Sequence, residues 1–197
     1  PIVPWYAWFP DRPYFGQTGP YEAQPDNIKD FFNTGVTTKN GVNLTGGGEN
    51  YRGRLSFTNL NQEGVIPNSQ LNKNFISTRF SVDVSDRLTL GTSLNYTTEK
   101  IEGDFADGYG NQTTGMFNSW FARDVDIQKL RELKNLTTHN NYSTTWNWWG
   151  PDYYGYGLAT GASGNGYEMP TFWFNPYFWL DNYQNIDRRN NLAGNIN

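Results

Sequence analysis

The residues best suited to binding a ligand form a dense aromatic group in the second half of the chain. Flat rings stack on the apolar faces of sugars and also anchor protein interfaces. The turn predicted at Gly150–Pro151 would present the rings on either side of it. The same rings could instead pack the segment onto itself or onto a neighbouring protein, and the sequence leaves these alternatives open. The candidate contacts are Trp120, Trp146, Trp148, Trp149, Tyr153 and Tyr154.

The sequence predicts neither catalysis nor a metal site. It has no cysteine, no histidine pair, no Gly-rich phosphate loop and no G-x-S-x-G motif. Asp104, Asp107 and Asn111 resemble part of a calcium loop but lack the closing Glu of the twelve-residue pattern, so we expect an ordinary acidic turn. A glycosidase needs only two carboxylates, and Glu168 could supply one, but no motif supports it. The single histidine, His139, is expected to be exposed. We therefore expect a protein that is not an enzyme and needs no cofactor.

The elements that must position these side chains are strands, because apolar and polar residues alternate from Gly41 to Glu99 through four consecutive segments. Successive side chains of a strand point to opposite faces, so each segment has one apolar and one polar face. The apolar set includes Leu55, Phe57, Phe80, Val82, Leu88, Leu90 and Leu94, and the polar set includes Arg52, Arg54, Arg79 and Asp83.

A hairpin at Ser85–Arg87 allows a test of this alternation across two strands. If Val84 faces Leu88, then Val82 faces Leu90, and the apolar sets of both strands lie on one side. The pattern is therefore consistent across the pair as well as along each strand.

Two settings produce such two-faced strands. A sandwich buries the apolar face in a core, whereas an outer-membrane barrel turns it towards lipid and keeps the polar face in the lumen. The connections favour the barrel, because short turns at 46–50 and 85–87 alternate with a longer loop at 62–70 and a very long segment after Lys100. The last two strands supply the roughly 9 to 11 residues that a tilted strand needs to cross a bilayer.

The remaining chain holds few regular elements. Asp26 to Phe32 predicts a short helix with Asp26 as its N-cap, and helices are predicted near 113–133. The mean hydropathy of -0.75 and the lack of a long apolar run exclude a helical membrane span. A net charge of -4 with scattered Lys and Arg argues against a nucleic-acid partner.

Four segments, in this order, resemble the SusC/RagA family of TonB-linked outer-membrane transporters of the Bacteroidetes group. They read PYEAQPDNIKDFFNTG from Pro20, VNLTGGGENYRGRLSFTNLNQEGVIPNS from Val42, FNSWFARDVDIQKLREL from Phe117 and NPYFWLDNYQNIDRRNNLAGNIN from Asn175. Each match alone is weak, but the ordered set is specific and extends over nearly the whole chain from Pro20.

The resemblance implies an early segment of a plugged, many-stranded, TonB-dependent importer in the bacterial outer membrane. Such a protein takes up oligosaccharides or peptides with a SusD-like surface lipoprotein as its lid, and TonB would act through an N-terminal part that has no counterpart here. The implied fold is an all-β, antiparallel up-and-down transmembrane barrel segment with long extracellular loops containing short helices. The implied parts are an external loop with a short helix at 1–35, four barrel strands at 36–100, a long aromatic-rich external loop at 101–186 and the start of the next strand at 187–197.

The resemblance also gives the two strand faces their roles. The apolar set would contact membrane lipid, and the arginines and Asp83 would face the lumen, where we expect them to pair with plug carboxylates or with each other rather than with substrate. Five or six strands cannot close a barrel, so we expect a fragment that does not fold alone in a membrane. The alternative is a soluble or cell-surface β-rich carbohydrate-binding module, which the same strands and aromatic residues would suit.

Overall fold

The strands and helices were located in a computed structural model that describes residues 1–9, 12–104, 108–138, 141–148 and 169–197. The described chain divides into two compact units. The sheet unit comprises Thr34–Gly103 and Asn185–Asn197, and the helical unit comprises Pro1–Asn33 and Asp104–Gln184.

The sheet unit is one open, antiparallel, up-and-down sheet of five strands in the order β1-β2-β3-β4-β5. Its register is continuous over nearly the full length of each strand pair, so apolar residues of neighbouring strands are direct partners, for example Val82 with Leu90 as predicted. The fold is therefore mostly β, as the alternation predicts. The strands are β1 (Val36–Gly47), β2 (Tyr51–Glu63), β3 (Gln70–Ser85), β4 (Leu88–Gly103) and β5 (Asn185–Ile196).

The strands differ from the predicted ranges at two ends. β4 continues past residue 100 to Gly103, and β5 begins at Asn185 rather than at residue 187. Both extensions pair with each other, because Gly103 is the register partner of Asn185. The extra length therefore comes from strand pairing, which a single segment of sequence does not reveal.

The hairpin between β3 and β4 corrects the predicted partner of Val84. Ser85, not Val84, pairs with Leu88, and the register shifts by one residue between Asp83 and Ser85. Because the turn consists of the two residues Asp86 and Arg87, the residues on either side of it, Ser85 and Leu88, form the first pair of the hairpin. β3 therefore has one more residue than β4 next to the turn, which forms a bulge. The shift is confined to the turn, and the pairs from Asp83–Thr89 onwards keep the predicted register.

The helical unit contains short helices joined by irregular chain. The first lies where it is predicted and has Asp26 as its N-cap, although the Asp26 side chain makes no cap hydrogen bond. The helices are α1 (Asn27–Phe31), α2 (Ile127–Glu132) and α3 (Pro176–Asn182), with 3-10 turns at Trp5–Ala7 and Gly115–Asn118.

The helices predicted near 113–133 are much shorter than the pattern suggests. The 3-10 turn ends at Asn118, and regular structure resumes only at Ile127, where the Asp126 side chain accepts a hydrogen bond from the backbone N–H of Gln128. Trp120 has a left-handed backbone with φ of 58°, which a right-handed helix does not allow. The third helix lies in a segment predicted as loop, although Asn175 and Pro176 form a regular helix start there.

Buried amide side chains connect the pieces of the helical unit. Asn27 donates to the carbonyl of Val125 at 2.6 Å and accepts from the backbone N–H of Ile127 at 2.9 Å. Asn175 donates to the carbonyl of Leu130 at 2.8 Å and accepts from the N–H of Tyr177 at 3.0 Å. Each amide pairs with backbone N–H and C=O groups that have no partner in a regular helix or sheet. Buried backbone groups must be hydrogen-bonded, so side chains supply the partners here.

Apart from Pro67 in the loop between β2 and β3, all the buried apolar residues in the described part of the chain belong to the helical unit. The sheet contributes none, so its apolar side chains are not part of a core within the described residues. The buried set comprises Trp5, Ala7, Phe9, Phe31, Met116, Val125, Ile127, Leu130, Leu133, Trp173, Tyr177 and Leu180.

Candidate functional site

Three exposed rings of the helical unit surround one buried ring and form what we call the aromatic surface. Tyr109, Trp120 and Phe172 are 61%, 64% and 51% exposed, whereas Trp173 is buried. The ring centroids of all three lie 5.7 to 5.8 Å from that of Trp173, in edge-to-face contact. Edge-to-face pairs hold rings in fixed orientations, so the exposed faces are preorganised for stacking.

Trp120 reaches its position through an unusual backbone. A left-handed φ is uncommon for a bulky residue and costs of order 1–3 kcal/mol, which the surrounding structure must supply. Trp120 contacts Phe172 at 5.1 Å between centroids and yet remains mostly exposed. The strained backbone and the exposure of the ring make Trp120 a candidate for contact with something outside the unit.

Asn111 shapes the turn that precedes Trp120. Its side-chain oxygen accepts hydrogen bonds from the backbone N–H groups of Thr113, Thr114 and Gly115 at 2.9, 2.6 and 3.3 Å. Its amide nitrogen donates to Asp104 at 2.9 Å. One buried amide therefore holds the 3-10 turn that leads to Trp120, and Asp104 fixes the orientation of that amide.

Two further amides hold the strip of chain that carries Phe172 and Trp173. Asn147 accepts from the N–H groups of Phe172 and Trp173 at 2.9 and 3.2 Å. Gln112 donates to the carbonyl of Phe172 at 2.9 Å and accepts from the N–H of Phe174 at 3.0 Å. The backbone beneath the exposed rings is thus fixed at both edges by side chains.

Only one of the described aromatic candidates from the sequence is exposed. Trp120 belongs to the aromatic surface, whereas Trp146 is half-buried and stacks on Trp173 at 6.0 Å. Trp148 is half-buried against Phe9 at 5.3 Å. Trp146 and Trp148 therefore pack within the chain, which is the alternative to ligand contact that the sequence leaves open. The other three candidates, Trp149, Tyr153 and Tyr154, lie outside the described residues.

The sequence offers no signal for Tyr109, and it does not separate Phe172 from the other aromatic residues of the long segment. Tyr109 and Phe172 are isolated from the Gly150–Pro151 turn in sequence, and their exposure depends on contacts with Trp173 that only the fold creates. Asn111, which the sequence suggests as part of an acidic turn, accepts hydrogen bonds from the backbone of the residues that follow it.

The four charged residues predicted to share the polar face of the sheet do so. Arg52 lies 3.9 Å from Asp83, and Arg54 and Arg79 are direct register partners on the same face. Opposed like charges are destabilising unless an anion approaches them. These arginines line an open groove of about 430 Å³ that reaches Ser93. The groove is therefore positively charged and suits carboxylates.

The seven residues predicted to share the apolar face lie on one face of the sheet and are accessible to solvent. Val82 is half-buried, and the other six are between 40% and 49% exposed. Neighbouring residues extend the same face, namely Val42, Leu44, Tyr51, Ile76, Tyr96, Leu192 and Ile196. The result is an apolar surface across all five strands.

Among the described residues, no three His, Asp or Glu side chains come together as metal ligands. Asp104 contacts Asn111 and Thr113, and the other residues considered for metal binding, Asp107 and His139, lie outside the described residues. Burial raises the pKa of Tyr177, against the effect of Arg131, but Tyr177 is an interior residue that packs on Phe31.

The protein-family models compared with the chain give no match, and no significantly similar curated protein was found. No helix in the described ranges has the length and apolar character to cross a membrane. The similarity to the SusC/RagA family therefore stays a prediction from the four ordered motifs.

The hydrogen bonds of Asn111 predict the effect of its truncation. Asn111→Ala leaves three backbone N–H groups without their acceptor and should cost about 1–3 kcal/mol in local stability. Amide hydrogen exchange at Thr113, Thr114 and Gly115 should accelerate at least tenfold in the full-length protein. Asn118→Ala, an exposed position in the same turn, is the matched control and should leave these rates unchanged. Equal rates in the Asn111 variant and the wild type would show that the cap does not hold the turn.

Proposed function

We propose that this chain is part of a TonB-dependent outer-membrane nutrient importer of the SusC kind. The sheet is a section of the barrel wall, with its apolar face towards lipid and its polar face towards the lumen. The segments at the long-loop end of the strands are extracellular, and the importer works with a SusD-like lipoprotein on oligosaccharides or peptides.

One observation carries the proposal: the sheet has a continuous apolar face that stays exposed although the chain builds a hydrophobic core elsewhere. A sandwich of the carbohydrate-binding kind would bury such a face against a second sheet. Exposed apolar patches on free monomers rarely exceed a few hundred Å². A face that extends over five strands therefore favours lipid as its environment over water.

The dimensions of the apolar face also favour a bilayer. From Leu88 to Tyr96 it extends about 26 Å along β4 at roughly 3.3 Å per residue. At a strand tilt of about 40° this is about 20 Å along the membrane normal, close to the roughly 25 Å apolar band of outer-membrane barrels. Tyr96 lies in the outermost apolar row at one end and Tyr51 lies one row inside Leu88 at the other, near the levels where aromatic residues are expected at membrane interfaces.

The polar face favours a lumen filled by another part of the protein. Arg54 and Arg79 face each other, and the nearest described ion pair, between Arg52 and Asp83, is long at 3.9 Å. A plug domain that offers carboxylates would balance this charge. The same face would then be the inner wall of a plugged barrel.

The direct test is fractionation of the natural protein. An antibody against residues 135–167 should detect a heat-modifiable species much larger than the 22.6 kDa of this chain in the outer membrane. A free protein of about this mass in a soluble fraction would refute the transporter and leave the carbohydrate-binding module.

The orientation of the sheet is tested by a pair of neighbouring substitutions. Leu94→Arg in the full-length protein puts a charge on the apolar face and should cost about 2–4 kcal/mol near the middle of the membrane. Asn95→Arg puts the same charge on the polar face and should cost far less. The yield of heat-modifiable, folded barrel measures the difference. Equal yields for the two variants would contradict the assignment of the faces.

The aromatic surface provides the contact with substrate or lid. Trp120→Ala removes the most exposed ring of this surface and should weaken the contact by about 1 kcal/mol, roughly fivefold in Kd. Oligosaccharide binding and co-purification of the lipoprotein are measured in parallel, and the affected assay identifies the partner. Phe15→Ala truncates another exposed ring of the helical unit and serves as the control. No change in either assay would exclude Trp120 from both contacts.

A further inference from the structure

A cavity of about 440 Å³ lies within the helical unit, and none of the three exposed rings of the aromatic surface lines it. One wall is formed by residues of the segment from Ala23 to Ile28, and the other carries Phe117, Phe121 and Arg123. Its size is within the roughly 300–1,000 Å³ of pockets that hold small ligands. The cavity is therefore a candidate site separate from the aromatic surface.

Hydrogen bonds between the two walls fix the shape of the cavity. The backbone N–H of Gln24 donates to the carbonyl of Arg123 at 2.7 Å. Next to it, the buried Asn27 side chain donates to the carbonyl of Val125 at 2.6 Å and accepts from the N–H of Ile127 at 2.9 Å. The walls are thus joined through the chain itself, so a ligand would not have to order them on binding.

The interior of the cavity is mainly apolar. Phe117 and Phe121 are half-buried and meet edge to face, with 5.1 Å between ring centroids. Each ring is also held from behind, Phe117 by Phe31 at 5.3 Å and Phe121 by Trp146 at 5.1 Å. On the other wall Ile28 is 55% exposed, although it belongs to a helix that packs into the core. An apolar side chain or a ring between these walls would cover surface that is now in water.

Arg123 is the one charged side chain among the described residues that line the cavity. It is exposed and forms no ion pair with a described residue. Asp124 follows it in the sequence, and Glu22 and Asp26 flank the lining residues of the other wall, but none of these carboxylates lines the cavity. The guanidinium can therefore bind a carboxylate of a ligand through two parallel hydrogen bonds.

We propose that this cavity binds the carboxyl-terminal residue of a peptide whose last side chain is apolar. The side chain lies between Ile28 and the two phenylalanines, and the terminal carboxylate binds Arg123. Gln24 is half-buried in the wall, and its amide can donate to and accept from the last peptide group. A peptide terminus offers all three groups on one residue, whereas a neutral oligosaccharide offers Arg123 no anion.

The inference deepens the proposed function, and it rests on that function only in naming peptides as cargo of the importer. Binding at the cavity can be measured separately from transport. The full-length protein is purified in detergent and titrated into a fluorescein-labelled tetrapeptide that ends in phenylalanine, with anisotropy as the signal. Amidation of the peptide's terminal carboxylate should weaken binding about fivefold, and replacement of its last residue by glycine about tenfold or more.

Three variants locate the contact. Arg123→Gln should weaken binding of the free-acid peptide about fivefold and remove the difference between the free-acid and amidated peptides. Lys29→Gln removes a neighbouring exposed cation that does not line the cavity, and it is the matched control, with unchanged binding expected. Ala23→Phe adds a ring at an exposed position of the wall and should weaken binding of both peptides by filling the cavity.

The outcomes separate this site from the proposed function. Equal affinity of the wild type for the free-acid and amidated peptides overturns the site and leaves the importer, as does equal loss in the Arg123 and Lys29 variants. Displacement of the peptide by phenylpropionate at the peptide's own concentration would assign the cavity to small carboxylic acids and overturn the peptide proposal. Binding as expected by a protein that fractionates as a soluble species supports the site and refutes the importer.

Discussion

The register of the five strands, which shifts only beside the turn between β3 and β4, is the constraint on which the rest of the sheet depends. Because side chains alternate with a period of two, a slip of one residue in any pair would mix arginines with leucines on the same face. The one irregularity lies beside the turn at Asp86–Arg87, where it displaces Val84 alone. The bulge allows a tight two-residue turn while leaving every pair from Asp83 to the far end of the hairpin in register.

The helical unit is stabilised differently, because most of its backbone is not hydrogen-bonded within a helix or a sheet. Buried amides take that role: Asn27, Asn111, Asn147 and Asn175 each accept from one or more backbone N–H groups. An amide accepts through its oxygen and donates through its nitrogen, so it can join two segments, whereas an ionised carboxylate can only accept. The abundance of Asn in this chain is therefore structural as well as a sign of polar surface.

The sequence predicts the sheet well and the helical unit poorly, for physical reasons. Alternation is a local signal, so the faces of Leu94 and Arg79 follow from their own segments. The helix predicted across Trp120 is absent, because its apolar spacing does not reveal that Trp120 adopts a left-handed backbone held by contacts with Phe172 and Trp173. Likewise, the burial of Trp146 depends on its stack with Trp173, which is distant in sequence. Tertiary contacts, not composition, decide which rings are exposed.

Three features of the sheet remain unbalanced within the described residues, and the barrel proposal accounts for all of them. β1 and β5 each have an unpaired edge, the apolar face is exposed, and Arg54 opposes Arg79 without an intervening anion. A second sheet would cover the apolar face but would leave both edges open. Additional strands of a closed barrel pair the edges, lipid covers the apolar face, and a plug inside the barrel can neutralise the arginines. A closed, plugged barrel thus accounts for the strand edges, the apolar face and the arginines together. This is the physical reason for preferring it to a sandwich.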